Sequence, residues 1–164
     1  MIQRVVTGAI AVVVGLTLSV GLLSSNADAA ASTNKTKALS AAKKWCGKSY
    51  LLQHPEDIKP IKTKKNRTIG YQVVLMGDED DSDLSVKICQ VSVAVKKYAS
   101  PKHKVTNKVK KGDKTVKSKS GKRTTGVLGL KYTQPWETTR TYTTVQKNKK
   151  YGNGTAKITI ERRD

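Results

Sequence analysis

Apolar residues recur at helical spacing only in the early part of the chain. Between residues 38 and 46 they fall three or four positions apart, and lysines fill the positions between them. Gly47 follows as a natural helix stop. The pattern predicts one amphipathic helix from about Lys35 to Cys46, with Trp45 and Cys46 on its buried side.

Beyond residue 67 the helical period gives way to alternation, which predicts strands. Odd positions are apolar from Ile69 to Leu75, and the next alternating run changes phase at Cys89 and Gln90. A β-bulge at that point would keep both halves facing one core, or the strand passes there from one sheet to another. Further strands are predicted at residues 125–133, 137–146 and 155–162, and residues 148–154 carry the strongest hairpin signal.

These elements predict an α+β or mainly β fold. One N-terminal amphipathic helix precedes an antiparallel sheet of five or six strands, and a curled sheet and a small sandwich both fit. Parallel βαβ organisation does not fit, because no helical segment separates the strands. Residues 49–52 add a short strand candidate, and residues 55–66, with two prolines, are predicted to be a basic connector.

Residues 1–29 are predicted to be a signal peptide that is removed. Arg4 precedes an uncharged, mostly apolar run from Val5 to Leu23, and Ala27-Asp28-Ala29 is a small-x-small cleavage pattern. A retained membrane anchor is the alternative, because a run of this length could nearly span a bilayer. We expect residues 30–164 to form a single secreted domain without a transmembrane segment after cleavage. It would be extracellular or associated with the cell wall.

The two cysteines, Cys46 and Cys89, are predicted to form one disulfide, because an even number of cysteines in an exported chain indicates disulfide pairing. Two buried free thiols are the alternative. The bridge would tie the predicted helix to the strand at its change of phase.

The charge balance predicts the sign of the partner. The chain carries 32 Lys and Arg against 12 Asp and Glu, a net charge of +20, and such a domain attracts polyanions whatever its fold. Residues 102–123 are predicted to form a Lys-rich loop or hairpin, with a solvated loop that discourages aggregation as the alternative. Because lysine greatly outnumbers arginine, point-charge contacts with many anionic groups are favoured over bidentate recognition of one. The predicted polyanion-binding residues are Lys102, Lys104, Lys108, Lys110, Lys111, Lys114, Lys117, Lys119, Lys122 and Arg123.

The acidic stretch Gly77–Asp83 holds five of the twelve acids. Counted from Asp78, an EF-hand would need glycine sixth and glutamate twelfth, where this chain has Asp83 and Cys89. A looser calcium loop and an electrostatic clasp on the lysines are alternatives. The prediction is a solvated turn, without a metal site or a cofactor.

Together these features predict a secreted, strongly basic, non-enzymatic protein that binds anionic extracellular or cell-envelope polymers. The expected partners are wall phosphate polymers, acidic or sulfated glycans, or an anionic lipid surface, and nucleic acid is not expected as the physiological target. The alternative is a bacteriocin-like or antimicrobial effector acting on anionic membranes, although the chain lacks a long cationic amphipathic helix. A nuclease using His54 and His103 is the enzymatic alternative, and no motif supports it.

Overall fold

The computed structural model describes residues 34–80, 84–98, 104–122 and 126–162, which belong to one compact unit spanning Asn34–Asp164. The predicted signal peptide lies outside the described residues. Helix α1 covers residues 34–46, and a 3-10 turn at Pro55–Asp57 precedes the first strand. The strands are β1 (Ile58–Thr63), β2 (Thr68–Asp80), β3 (Ser85–Ala94), β4 (Lys104–Lys111), β5 (Lys114–Lys122), β6 (Val127–Pro135), β7 (Thr139–Lys147) and β8 (Gly154–Glu161), with a second 3-10 turn at Lys96–Tyr98 between β3 and β4.

The eight strands form one antiparallel sheet in the order β5-β4-β7-β8-β1-β2-β3-β6. The sheet curls into a nearly closed barrel, in which the two ends of the strand order approach each other. There the side-chain amide of Asn107 on β4 donates to the carbonyl of Leu128 on β6 at 2.8 Å. The prediction of a mainly β protein with one helix and an antiparallel sheet is confirmed. The predicted number of five or six strands is wrong.

The additional strands lack the alternation that identifies a strand from sequence. β1 was predicted to be a connector because it contains Pro60 and only two apolar residues, with a register shift after Ile61. Only Lys62 and Thr63 of β1 pair with β8, so most of one edge of β1 is unpaired, where a proline is tolerated. The lysine-rich β4 and β5 form a hairpin within the sheet, with β4 as an internal strand.

Strand β3 is buried on both faces, and this explains its change of phase. Its register with β2 and β6 runs through Cys89 and Gln90 without a shift, so the expected bulge at that point is absent and the strand stays in one sheet. Val86 and Ile88 belong to the core inside the barrel. Cys89 and Val91 belong to the core beneath α1.

Helix α1 packs on the outer side of the barrel wall through Ala38, Ala42 and Cys46. Cys46 and Cys89 form the predicted disulfide, with an S–S distance of 2.05 Å and Cα atoms 6.1 Å apart. Closing a loop of this length stabilises by about 4 kcal/mol in the chain-entropy description. No helix in the described part of the chain has the length and apolar character needed to cross a membrane.

Buried amides cross the barrel interior and link strands that are not neighbours in the sheet. Gln72 on β2 donates to the carbonyl of Tyr142 on β7 at 2.8 Å, and Gln146 on β7 donates to the carbonyl of Ile69 on β2 at 3.0 Å. The Tyr142 hydroxyl donates to Oε1 of Gln134 at 2.7 Å. These bonds satisfy the Tyr142 hydroxyl and the side-chain amide nitrogens of Gln72 and Gln146, which would be costly to bury alone. The buried Oε1 atoms of Gln72 and Gln146 have no hydrogen-bond partner among the described residues.

Candidate functional site

The lysine-rich segment forms the β4–β5 hairpin, whose turn holds Gly112 at a φ of +55°. Lys111 and Lys114 pair across this turn. Of the other predicted binding residues, Lys102 and Arg123 lie outside the described residues, and Lys122 is described only as the last position of β5. The remaining lysines divide between the two faces of the hairpin.

Alternate lysines of β4 lie on the outer face of the sheet. Val105, Asn107 and Val109 are fully buried between them, and this alternation places the intervening lysines outward. The register then adds lysines from neighbouring strands. Lys104 pairs with Lys147 of β7. Lys108 pairs with Thr143 of β7, which in turn pairs with Lys157 of β8. Lys62 of β1 pairs with Thr155 of β8. We call this surface the lysine face; it consists of Lys62, Lys104, Lys108, Lys110, Lys147 and Lys157.

Hydroxyl side chains occupy the positions between these lysines. Thr106 and Ser120 are hydrogen-bonded at 2.7 Å, and Thr141 and Thr159 at 3.2 Å. Lysines two apart on one strand are about 7 Å apart, and neighbouring strands lie about 5 Å apart. The lysine face therefore presents several positive charges, interspersed with hydroxyl groups, on one side of the sheet.

Positive charges on this surface face each other without compensation. Lys104 lies directly opposite Lys147, and like charges directly opposite each other destabilise a sheet. None of the six lysines has a carboxylate partner in the part of the chain that the structure describes. A bound anion would remove this repulsion.

Lys117 and Lys119 lie on the other face of β5, because they pair with the inward-facing Val109 and Asn107. Lys117 lines a shallow groove with Lys87 and Lys131. The Lys119 ammonium lies 5.6 Å from the centre of the Trp45 ring. The sequence prediction therefore grouped lysines that the sheet separates onto two surfaces.

A second basic site lies where the β1–β2 and β7–β8 turns meet. Lys64, Lys65, Arg67 and Lys150 line a cleft of about 500 Å³. These turns are neighbours because β1 pairs with β8 at its end. We call this the Arg67 cleft; its lining also includes Thr63, Tyr151, Gly152 and Asn153.

The other candidate chemistry is only partly covered by the described residues. Asp81 to Asp83 lie outside them, and β2 continues through Asp80, so the strand extends further into the acidic stretch than expected. His54 is exposed and precedes the first 3-10 turn, whereas His103 lies outside the described residues. Within the described ranges, no group of three His, Cys, Asp or Glu side chains is placed to hold a metal ion.

Sequence reasoning missed both the full lysine face and the Arg67 cleft. Alternation in residues 155–162 does place Lys157 opposite a buried row at Ala156, Ile158 and Ile160. Nothing in the sequence, however, indicates that β8 and β4 both flank β7. Arg67 and Lys150 are far apart in the chain, and only the β1–β8 pairing brings their turns together.

Comparisons with protein-family models, with curated proteins and with solved structures found no match to this chain.

Proposed function

We propose that this protein is a secreted, non-enzymatic binding protein that attaches to anionic extracellular or cell-envelope polymers through its lysine face. The observation that carries the proposal is the arrangement of six lysines from four strands on one face, without carboxylate partners in the described residues. Lysine is a compact point charge, suited to contacting many anionic groups in succession. The Cys46–Cys89 disulfide supports an oxidising compartment outside the cytosol.

The alignment of three lysines along β4 supports a linear polymer as ligand. A polyanion that lies along β4 would meet Lys104, Lys108 and Lys110 in sequence, and the polymer would also reduce the repulsion between Lys104 and Lys147. Binding of this kind gains free energy from the release of counterions, so it weakens steeply as salt concentration rises. The hydroxyls between the lysines can donate hydrogen bonds to phosphate or sulfate oxygens.

The test compares two variants with the same change of charge. The first replaces Lys108, Lys110 and Lys157 of the lysine face with Gln, and the control replaces Lys37, Lys43 and Lys44, which are exposed on α1. Affinity for long-chain polyphosphate and for dextran sulfate is measured over a range of salt concentrations. For the face variant, the slope of log affinity against log salt should flatten by about 2 to 3 units. The control should keep nearly the whole slope.

Equal losses in the two variants would show that overall charge, and not this face, drives binding. An unchanged slope in the face variant would contradict the proposal outright. Release of dye from anionic vesicles by the unmodified protein would favour the antimicrobial alternative.

A further inference from the structure

We propose that the Arg67 cleft is a second binding site, which takes the phosphate monoester group of a phosphorylated sugar. The inference deepens the proposed function, since such a group would belong to a polymer held by the neighbouring lysine face. Only the identity of the phosphate group as part of a polymer rests on the proposed function. Binding of a small phosphate ester to the cleft can be measured separately.

The first turn of the cleft is held in one conformation by its own hydrogen bonds. The backbone N–H of Thr63 donates to the carbonyl of Arg67 at 3.0 Å, and that of Asn66 donates to the carbonyl of Thr63 at 2.9 Å. The Arg67 N–H donates to Oγ1 of Thr63 at 3.2 Å. Asn66 has a φ of +57°, a left-handed conformation that asparagine tolerates well.

Asn148 organises the second turn. Its side chain is 3% exposed, and its Oδ1 accepts the N–H groups of Lys150 and Tyr151 at 2.9 and 3.0 Å. Its Nδ2 donates to the carbonyl of Tyr98 at 3.1 Å. Both walls of the cleft are therefore formed before any ligand arrives, which lowers the entropic cost of binding.

Two tyrosines hold the guanidinium of Arg67. The Arg67 Cζ lies 5.7 Å from the centre of the Tyr151 ring and 6.0 Å from that of Tyr98. The two rings pack edge to face at 4.8 Å. Arg67 has no carboxylate partner in the described residues. Its planar donors are thus positioned and available for bidentate contact with an oxyanion.

The number of cations in the cleft favours a ligand that carries more than one negative charge. Four positive side chains line the cleft, more than one carboxylate or sulfate ester can neutralise. A phosphate monoester carries a charge of about −1.5 to −2 at neutral pH and three acceptor oxygens. A volume of about 500 Å³ also leaves room for a sugar ring, since small-molecule sites are typically ~300–1,000 Å³.

The experiment titrates the protein with glucose 6-phosphate and with glucose 6-sulfate, followed by the amide NMR signals of Asn66 and Gly152. We expect the phosphate to bind more tightly at about pH 7.5, and to weaken towards the sulfate level at about pH 5, because it loses its second charge. Arg67→Lys keeps the positive charge but loses the planar guanidinium that can donate two parallel hydrogen bonds. This variant should bind the phosphate ester about tenfold more weakly. Lys157→Gln on the lysine face is the control and should leave it unchanged.

Equal affinity for the two esters, or an unaffected Arg67→Lys variant, would overturn the inference and leave the cleft as a general cationic surface. The same variants are then tested on the polymers. If Arg67→Lys loses the phosphate ester while the salt slope on dextran sulfate persists, the cleft acts independently of the lysine face. If the face variant keeps its affinity for the polymers while Arg67→Lys loses glucose 6-phosphate, the proposed function fails and the cleft remains.

Discussion

Among the side chains that the structure describes, Asp57 is the only acid that the fold buries, with 6% exposed. Its carboxylate accepts the backbone N–H of His54 at 3.3 Å. Burial raises the pKa of Asp57 above its ordinary value, although this hydrogen bond and the nearby His54 partly oppose the shift. Ionisation of Asp57 therefore works against folding.

The sign of this shift predicts how stability depends on pH. The folded protein holds the Asp57 proton more tightly than the unfolded chain. The contribution of this proton to the free energy of unfolding is therefore fully present below the unfolded pKa of about 3.9, and it is lost as pH rises through the raised pKa of the folded state. Asp57→Asn is neutral at every pH and can still accept from His54. We expect this variant to gain free energy of unfolding relative to the native protein as pH rises from about 4 to 7.

Urea unfolding at several pH values measures this difference, with Glu56→Gln, an exposed neighbour, as the matched control. A difference between native protein and Asp57→Asn that stays constant over the range would contradict the raised pKa.

At the scale of elements, the end of α1 is fitted to β6. The prediction that Trp45 is buried is wrong, because its side chain is 38% exposed. Its ring packs against Gly129, in the space that a Cβ at that position would occupy. Lys131 covers this region: its Nζ donates to the carbonyl of Cys46 at 3.0 Å and lies 4.9 Å from the centre of the Tyr50 ring. A cation at a helix C-terminus can donate to a carbonyl that has no partner within the helix, and it interacts favourably with the helix dipole.

Gly129 is the position where this contact can be tested. A Cβ there would overlap the Trp45 ring, so Gly129→Ala should destabilise by about 1–3 kcal/mol, the usual cost of overpacking. In a Trp45→Leu background the same substitution should cost much less, because the overlapping ring is gone. Thermal unfolding of the four proteins gives the coupling. Additive effects would show that the ring does not depend on this glycine.

The elements also show where sequence patterns succeed and fail. β2 and β8 were predicted because apolar residues alternate along them, and the helix because its small apolar residues keep helical spacing. The apolar alternation of β4 is incomplete, because an amide, Asn107, occupies the inward position between Val105 and Val109. The sequence therefore predicts only a Lys-rich loop or hairpin there. β5 has no apolar row at all. The disulfide was predicted from export alone, and the structure gives it a place between α1 and β3.

At the scale of the whole molecule, the two proposed binding surfaces depend on strand pairings that no local pattern encodes. The sequence predicts a binding segment at residues 102–123 from its charge, but strand order divides the lysines of this segment and joins some of them to Lys62, Lys147 and Lys157. The Arg67 cleft has the same origin, since the short pairing between β1 and β8 brings its two turns together. A sequence reports how much charge a protein carries, whereas the order of strands decides where it converges.

The position of β5 at the end of the strand order has a colloidal consequence. Its residues 114–120 are exposed, and lysines on such an edge keep copies of a protein from pairing strand to strand. A polyanion that neutralises those lysines removes the barrier and also concentrates the copies along one chain.

We expect light scattering to peak near charge equivalence and to fall again when polymer is in excess, as each protein is then isolated on its own chain. Val116, exposed on β5, would favour such contacts, so Val116→Lys should lower the peak; an identical peak would mean that the polymer alone bridges the particles. A lower peak for Val116→Lys would instead show that the polyanion condenses the protein through contacts at β5.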